Sequence, residues 1–252
     1  MPRVFYAPTN ANRILVPKLA RMERLRHLEF IPLSEDKQTR HGQLLAITGR
    51  AAYIWGDGTD HDDSYYFTRD SGVRLKGNVD HHPDTRDEAE FLNFDSHMTY
   101  AERDGVGIIT PTVRLFPHNY RWETMKSAIQ AIREKGAMLG ENQMALTIDC
   151  DGILLFPAIP CYVYDYGFTA REIFEAVAEL KAKLKRVDLG GVKKDLPDFE
   201  QIEIDLRKPP RLEMRFLTER KINLISIGQI NLMGSYALMT YAGILDAFWQ
   251  PN

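Results

Sequence analysis

Apolar positions along the chain come in short runs, and their spacing alternates between helical and extended periods. Leu19, Met22, Leu25 and Leu28 recur at helical spacing and predict a helix over 16–28. Residues 44–55 mix small and apolar side chains and end at Gly56-Asp57-Gly58, as a strand running into a loop would. A second strand is expected over 73–79, where it delivers the chain into Asp80-His81-His82-Pro83-Asp84. A run rich in apolar and β-branched residues follows at 106–115. Over 122–138, Met125, Ile129 and Ile132 share one helical face, with glycines near the end.

Downstream the pattern is clearer. Residues 144–148 form a short apolar strand that runs straight into Asp149-Cys150-Asp151-Gly152. Thr169 and Glu172 have the spacing of a capping box. The helix they open is expected to reach about residue 184, with Ile173, Phe174, Val177 and Leu180 as its buried stripe and Gly190-Gly191 closing it. A late buried strand is expected over 222–227 and an apolar closing helix over 233–248. Strands alternating with helices predict a mostly parallel sheet with helices on both faces, in which function sits at the carboxyl ends of the strands. No repeat, low-complexity segment or domain boundary interrupts the pattern, so residues 1–252 are expected to form a single domain.

Composition narrows the class. The chain has 32 Lys+Arg against 35 Asp+Glu, a net charge of -3, and 44% hydrophobic residues. That balance excludes a disordered chain and a polycationic nucleic-acid binder. No apolar stretch approaches the length of a membrane span, and the first residues lack the apolar core of a signal peptide. A cytoplasmic protein is expected, without a membrane or nucleic-acid partner. Cys150 and Cys161 offer neither a disulfide framework nor a CxxC metal pair.

Charge is segregated along the chain. Residues 1–50 hold nine Lys or Arg and four Asp or Glu, whereas 57–104 hold thirteen acidic and five basic residues. Four of the seven histidines, His61, His81, His82 and His97, lie in that acidic stretch. Carboxylates and imidazoles together suit divalent cations, although a solvated acidic surface would look the same.

Spacing adds information. On an extended chain Asp80, His82 and Asp84 share one face while His81 turns aside. At about 3.3 Å per residue the outer pair would lie about 13 Å apart on a straight strand, too far for one ion. The chain must curl there, or the three ligands serve two adjacent ions. Asp149 and Asp151 lie on one side of a strand terminus, where they repel each other unless a cation lies between them. His61, in Thr59-Asp60-His61-Asp62-Asp63, follows the 44–55 strand. Together these segments supply two nitrogen and four carboxylate ligands and no thiolate, a set that favours a pair of oxygen-preferring ions such as Mn²⁺ over structural zinc.

In their order, Asp60-His61, Asp80-x-His82-x-Asp84, Asp149-x-Asp151 and then a helix opened by Gly-Phe-Thr-Ala-Arg-Glu, these motifs resemble the arginase/deacetylase superfamily over about residues 56–245. The resemblance implies a three-layer α/β/α fold around a mostly parallel sheet of about eight strands. It also implies two Mn²⁺ ions held by His61, Asp80, His82, Asp84, Asp149 and Asp151. Deacetylases of this fold hold one zinc and lack the counterparts of His61 and Asp84, so the resemblance is to the two-metal, ureohydrolase branch. Asp84 matches a carboxylate that accepts the nucleophile's proton. In place of the arginase Ser-Gly-Asn-x-His segment stands Asn93-Phe94-Asp95-Ser96-His97, from which only His97 carries over, as an acid or proton shuttle. The guanidinium-binding glutamate of arginases is expected near Ile225-Ser226-Ile227, where no carboxylate exists. Size and altered pattern are most similar to peptide arginases, which convert arginine within ribosomally made precursor peptides to ornithine and urea. An arginine-containing precursor peptide is therefore the expected partner, and the resemblance leaves room for a homo-oligomer.

Two other readings stay open. Asp80-His81-His82-Pro83 also resembles the DHH phosphoesterases, although their glycine-rich C-terminal phosphate segment is not matched. A non-catalytic arginase-like binding module would explain the missing guanidinium carboxylate. Tyr162, Tyr164, Tyr166 and Phe168 could line a substrate groove or pack as an ordinary strand, and the basic N-terminal segment could meet an acidic leader peptide or be a plain amphipathic helix.

Overall fold

The computed structural model describes residues 1–55, 62–79, 100–101, 103–109, 122–150, 153, 157–159, 162–163, 168–190 and 227–250. In chain order the elements are β1 (Arg3–Tyr6), α1 (Asn10–Arg21), a 3₁₀ turn (Glu23–Leu25), β2 (Glu29–Pro32), α2 (Lys37–Leu45), β3 (Ala51–Ile54), α3 (Asp62–Arg69), β4 (Leu75–Val79) and β5 (Gly107–Ile109). Then come α4 (Trp122–Ala137), β6 (Met144–Asp149), β7 (Pro157–Ile159), β8 (Tyr162–Val163), α5 (Ala170–Leu180), β9 (Leu184–Gly190) and α6 (Ile227–Trp249).

Among the described residues, seven strands form an all-parallel sheet in the order β2-β1-β3-β9-β6-β4-β5, and β7 and β8 make a separate antiparallel pair. All six residues of β6 are buried, as a central strand covered on both faces requires. Alternation sorts the side chains between those faces. Ala52, Ile54, Leu146, Ile148, Val187 and Leu189 point into a large aliphatic core shared with α1, α4, α5 and α6. Phe5, Ala51, Tyr53 and Trp55 point the other way and pack with Leu44 of α2 and Phe67 of α3. The result is the expected three-layer α/β/α arrangement.

Local chemistry explains where the helices begin. Thr169 accepts from the Glu172 amide at 3.2 Å while the Glu172 carboxylate accepts from the Thr169 amide at 2.8 Å, which completes the predicted capping box of α5. Ile173, Val177 and Leu180 are each 1% exposed or less. Burying three such side chains stabilises the helix–sheet contact by about 1.5–3 kcal/mol each. Thr9 and Asp36 cap α1 and α2 in the same way, accepting from Asn12 and Thr39.

Several sequence expectations need correcting. The helix expected over 16–28 starts earlier, because Thr9 caps it, and ends at Arg21, where Met22 turns extended (ψ 127). Its apolar spacing still marked buried positions, since Leu19, Leu25 and Leu28 all reach the core. The 44–55 stretch is divided between the end of α2 and the strand β3, and β1, β2 and α3 were not anticipated. The helix expected to reach residue 184 stops at Leu180, and Leu184–Gly190 is a strand near the middle of the sheet. Gly190 therefore ends a strand and does not close a helix. Lys185, Arg186 and Asp188 disguised that strand, because charged side chains at buried positions break the apolar pattern. The closing helix begins at Ile227, the last residue of the strand expected over 222–227; residues 222–226 lie outside the described residues.

Gly190 is required by packing. A Cβ built there would lie 2.1 Å from the Trp55 indole, which lies across the glycine. Arg186 is almost wholly buried, and it donates to the main-chain carbonyls of Phe67 (3.2 Å), Ile47 (2.7 Å) and Gly49. Desolvation, followed by the charge of Arg3, pulls its pKa down to about 10.

Two stability measurements check this account. Replacing Thr169 by Ala is expected to cost about 1 kcal/mol in urea unfolding, through loss of the cap. Gly190→Ala is expected to cost about 1–3 kcal/mol by overpacking, and less when Trp55 is replaced by Leu in the same chain.

Candidate functional site

In a parallel sheet all strands present their carboxyl ends at one edge, and this edge carries the candidate site. Asp149 ends β6 there, 3% exposed and in register with Gly190 of β9. Cys150, directly after it, is fully buried in the aliphatic core, as alternation predicted. Asp149 is the one expected metal ligand among the described residues. His61, Asp80, His82, Asp84 and Asp151, and the expected proton shuttle His97, lie outside them. What the structure does fix is where their segments depart. β4 ends at Val79, one residue before Asp80, and α3 begins at Asp62, one residue after His61. Strands β3, β9, β6 and β4 are consecutive in the sheet, so all three motifs are attached to one block of four neighbouring strands. Asn12 of α1 fastens the end of β3, donating through its side-chain amide to the carbonyls of Ile54 (3.3 Å) and Trp55 (3.2 Å).

Below the edge lies a buried polar stripe that the sequence reading missed. Tyr53, Asp188, Thr147 and Asn78 are neighbours in register, as are Ala51, Arg186, Ala145 and Lys76 one pleat further back. Asp188 and Lys76 are fully buried. The Asp188 carboxylate accepts from Ser64 Oγ at 2.6 Å and from Thr147 Oγ1 at 3.0 Å. Burial pushes its pKa up, while the charge of Lys76 and hydrogen bonds from Ser64, Thr147 and Trp55 pull the other way. Alternation in β9 (Arg186, Asp188, Gly190) and β4 (Lys76, Asn78) could have shown this stripe, had β9 been read as a strand.

A second cluster sits on the helices covering this face. His41, Asp62 and Asp63 place one ligand atom each within 4.8 Å of one another, a grouping that could hold a cation. Its partners argue for a structural lock. Asp63 is fully buried; its Oδ2 accepts from Arg40 Nε at 2.7 Å and Tyr53 OH at 2.6 Å, and its Oδ1 contacts His41 Nε2 at 2.9 Å. Asp62 pairs with Lys37 Nζ at 2.9 Å. Two cationic side chains thus already neutralise the two carboxylates, and the His41 ring stacks on Tyr66 with centroids 3.8 Å apart. Part of the acidic stretch is explained here: its first helix pairs with the basic segment before it.

Two other expectations are met by packing where the residues are described, which excludes the Tyr162 side chain. Phe168 is 2% exposed and belongs to the aliphatic core, while Tyr164 and Tyr166 lie outside the described residues. Helix α1 buries Ala11, Leu15, Val16 and Leu19, as an ordinary amphipathic helix does. Among the described residues, no helix is long and apolar enough to cross a membrane.

No family model matches the chain, and no curated protein matches it at a significant level. Solved structures do. An arginase from Entamoeba histolytica in complex with L-ornithine superposes with a TM-score of 0.56 at 15% identity, covering 97% of this chain and 99% of its own. The agmatine ureohydrolase of Thermoplasma volcanium gives 0.55 at 14% identity, over 97% of this chain and 89% of its own. Bacillus subtilis arginase gives 0.52 at 12% identity, over 100% and 99%. Likeness at such low identity speaks for architecture alone: the chain has the arginase-like three-layer α/β/α fold.

Proposed function

We propose that this protein is a two-metal hydrolase of guanidinium groups that converts arginine, carried in a precursor peptide, to ornithine and urea. The observation that carries the reading is that the three ligand motifs follow β3, β4 and β6, which lie within one block of four neighbouring strands, in the fold of arginases and an agmatine ureohydrolase. The donor chemistry fits a pair of Mn²⁺ ions: His61, Asp80, His82, Asp84, Asp149 and Asp151 would hold them, and four carboxylates offset the charge of two divalent ions. When bound, such ions lower the pKa of a coordinated water and make it nucleophilic near neutral pH.

The chain's own residues then manage protons and orientation. Asp84 accepts the proton given up by the attacking water, and His97 returns a proton to the side-chain nitrogen as its bond to the guanidinium carbon breaks. Urea leaves, and the amine remains on the peptide. The choice of a peptide substrate is supported by Asn93-Phe94-Asp95-Ser96-His97 standing in place of the arginase segment that helps hold a free amino acid's backbone, a contact that a peptide-bound arginine does not need. Strand β9 ends at Gly190, and its carboxylate, Asp188, is two residues deeper and bonded to Ser64 and Thr147. Neither Gly190 nor Ile225-Ser226-Ile227 has a carboxylate, so the group that receives the guanidinium, in a peptide or free, is a different one from that of arginases.

The test is incubation with Mn²⁺ and arginine, free or within peptides, followed by urea detection and mass measurement of the product. Urea with ornithine in the peptide is expected. Faster turnover of free arginine would reverse the substrate choice, phosphate release from a dinucleotide without urea would favour the phosphoesterase reading, and stoichiometric metal without turnover would favour a binding module. Asp149→Ala and His82→Ala are expected to abolish turnover together with metal content, measured by elemental analysis of the folded variants. His41→Gln is expected to keep its full metal content, because the His41–Asp63 cluster is a lock between helices.

A further inference from the structure

Asp188 presents a problem that the fold alone does not answer. A fully buried carboxylate costs several kcal/mol in desolvation, and an apolar residue of similar size would remove that cost. Its partners suggest what it is kept for. Ser64 lies in the first turn of α3, three residues after His61. Thr147 lies in β6, two residues before Asp149 and four before Asp151. Lys76 lies in β4, four residues before Asp80, in register with Ala145 and Arg186 one pleat back from Asp188 on the same face, and its charge acts on the same carboxylate. Ser64, Thr147 and Lys76 are each 2% exposed or less. One carboxylate therefore contacts or attracts each of the three segments that lead into a ligand motif.

We infer that Asp188 is a positioning residue, a central tie that fixes α3, β6 and β4 relative to one another and so sets the geometry in which the ligand motifs leave the sheet. The inference rests on the metal-centre reading above, because positioning has value only if those motifs converge. Outer groups that orient metal ligands typically matter for affinity by about 10–100-fold when removed. Asp188 acts one step further back, through backbone carried by hydroxyls and an ammonium, and it touches neither substrate nor metal. The hydrogen bonds to Ser64 and Thr147 leave each carboxylate oxygen with a donor, so Asn at this position keeps the volume while losing the charge and one acceptor.

The test compares Asp188→Asn, Ser64→Ala, Thr147→Val and Thr147→Ser with the unaltered protein. Mn²⁺ affinity is read by equilibrium dialysis, and amide hydrogen exchange is read on the metal-free chain. Asp188→Asn is expected to weaken Mn²⁺ binding by about 10–100-fold. It should also speed exchange in the first turn of α3 and at the carboxyl ends of β4 and β6, leaving β1, β2 and α5 unchanged. Ser64→Ala and Thr147→Val should show the same pattern at smaller amplitude, and Thr147→Ser should restore it. Unchanged affinity, or exchange raised evenly over the whole chain, would overturn the inference. If Asp188→Asn fails to fold, the two hydroxyl variants decide in the same way. If the unaltered protein takes up no Mn²⁺, the hydrolase reading fails, and the local exchange pattern alone confirms or overturns the tie.

Discussion

Charges placed between a parallel sheet and the helices that cover it must find donors and acceptors on the spot, because water is excluded from both sides. Here the constraint falls on one face only. Toward α1, α4, α5 and α6 the central strands present aliphatic side chains. Toward α2 and α3 they present Arg186, Asp188, Lys76, Thr147 and Asn78, each almost wholly buried. Two of those groups are met from that side: Ser64 of α3 turns its hydroxyl to Asp188, and carbonyls of Ile47, Gly49 and Phe67 receive Arg186. The two faces divide the labour of the fold. The aliphatic face supplies most of the burial, and the polar face supplies registry, since hydrogen-bonded partners tolerate little sliding.

Polar registry at this depth has a counterpart on the outer side of α3. Asp63 gathers Arg40, His41 and Tyr53, which pins α2 to α3 and both to β3. The acidic stretch and the basic segment before it are thus partly one internal ion-pair system. Net charge along the sequence could not separate this from cation binding, because carboxylates meant for a metal and carboxylates meant for arginine look alike until their partners are placed.

Much of the architecture was legible from residue order. Strands β4 and β6, the amphipathic helix α4 and the capping box of α5 follow from apolar periodicity and from Thr169 and Glu172. So does the placing of acidic motifs beyond strand ends. The N-terminal third was less legible, because β1, β2 and β3 are only four residues each, too short for a period to declare itself. Strand β9 was misread for a different reason. Reading charged residues as surface residues is sound on average, and it fails where buried charges satisfy one another. Of the site, the Asp149 position was legible and is observed, whereas the tie at Asp188 was not, since nothing in a linear sequence links residue 188 to residues 64, 76 and 147.

Among the described residues, the Arg186 guanidinium addresses three carbonyl oxygens and lies over the Phe67 ring, with its carbon 5.0 Å from the ring centre. Every residue has a carbonyl, so the guanidinium itself makes no demand on the side chain at position 47, whereas Gly49, at φ 75, is held to glycine by its backbone. Descendants of this chain could therefore change much of the wording in that loop and still build the same bend, as long as the glycine at 49 and one arginine two residues before Asp188 are retained.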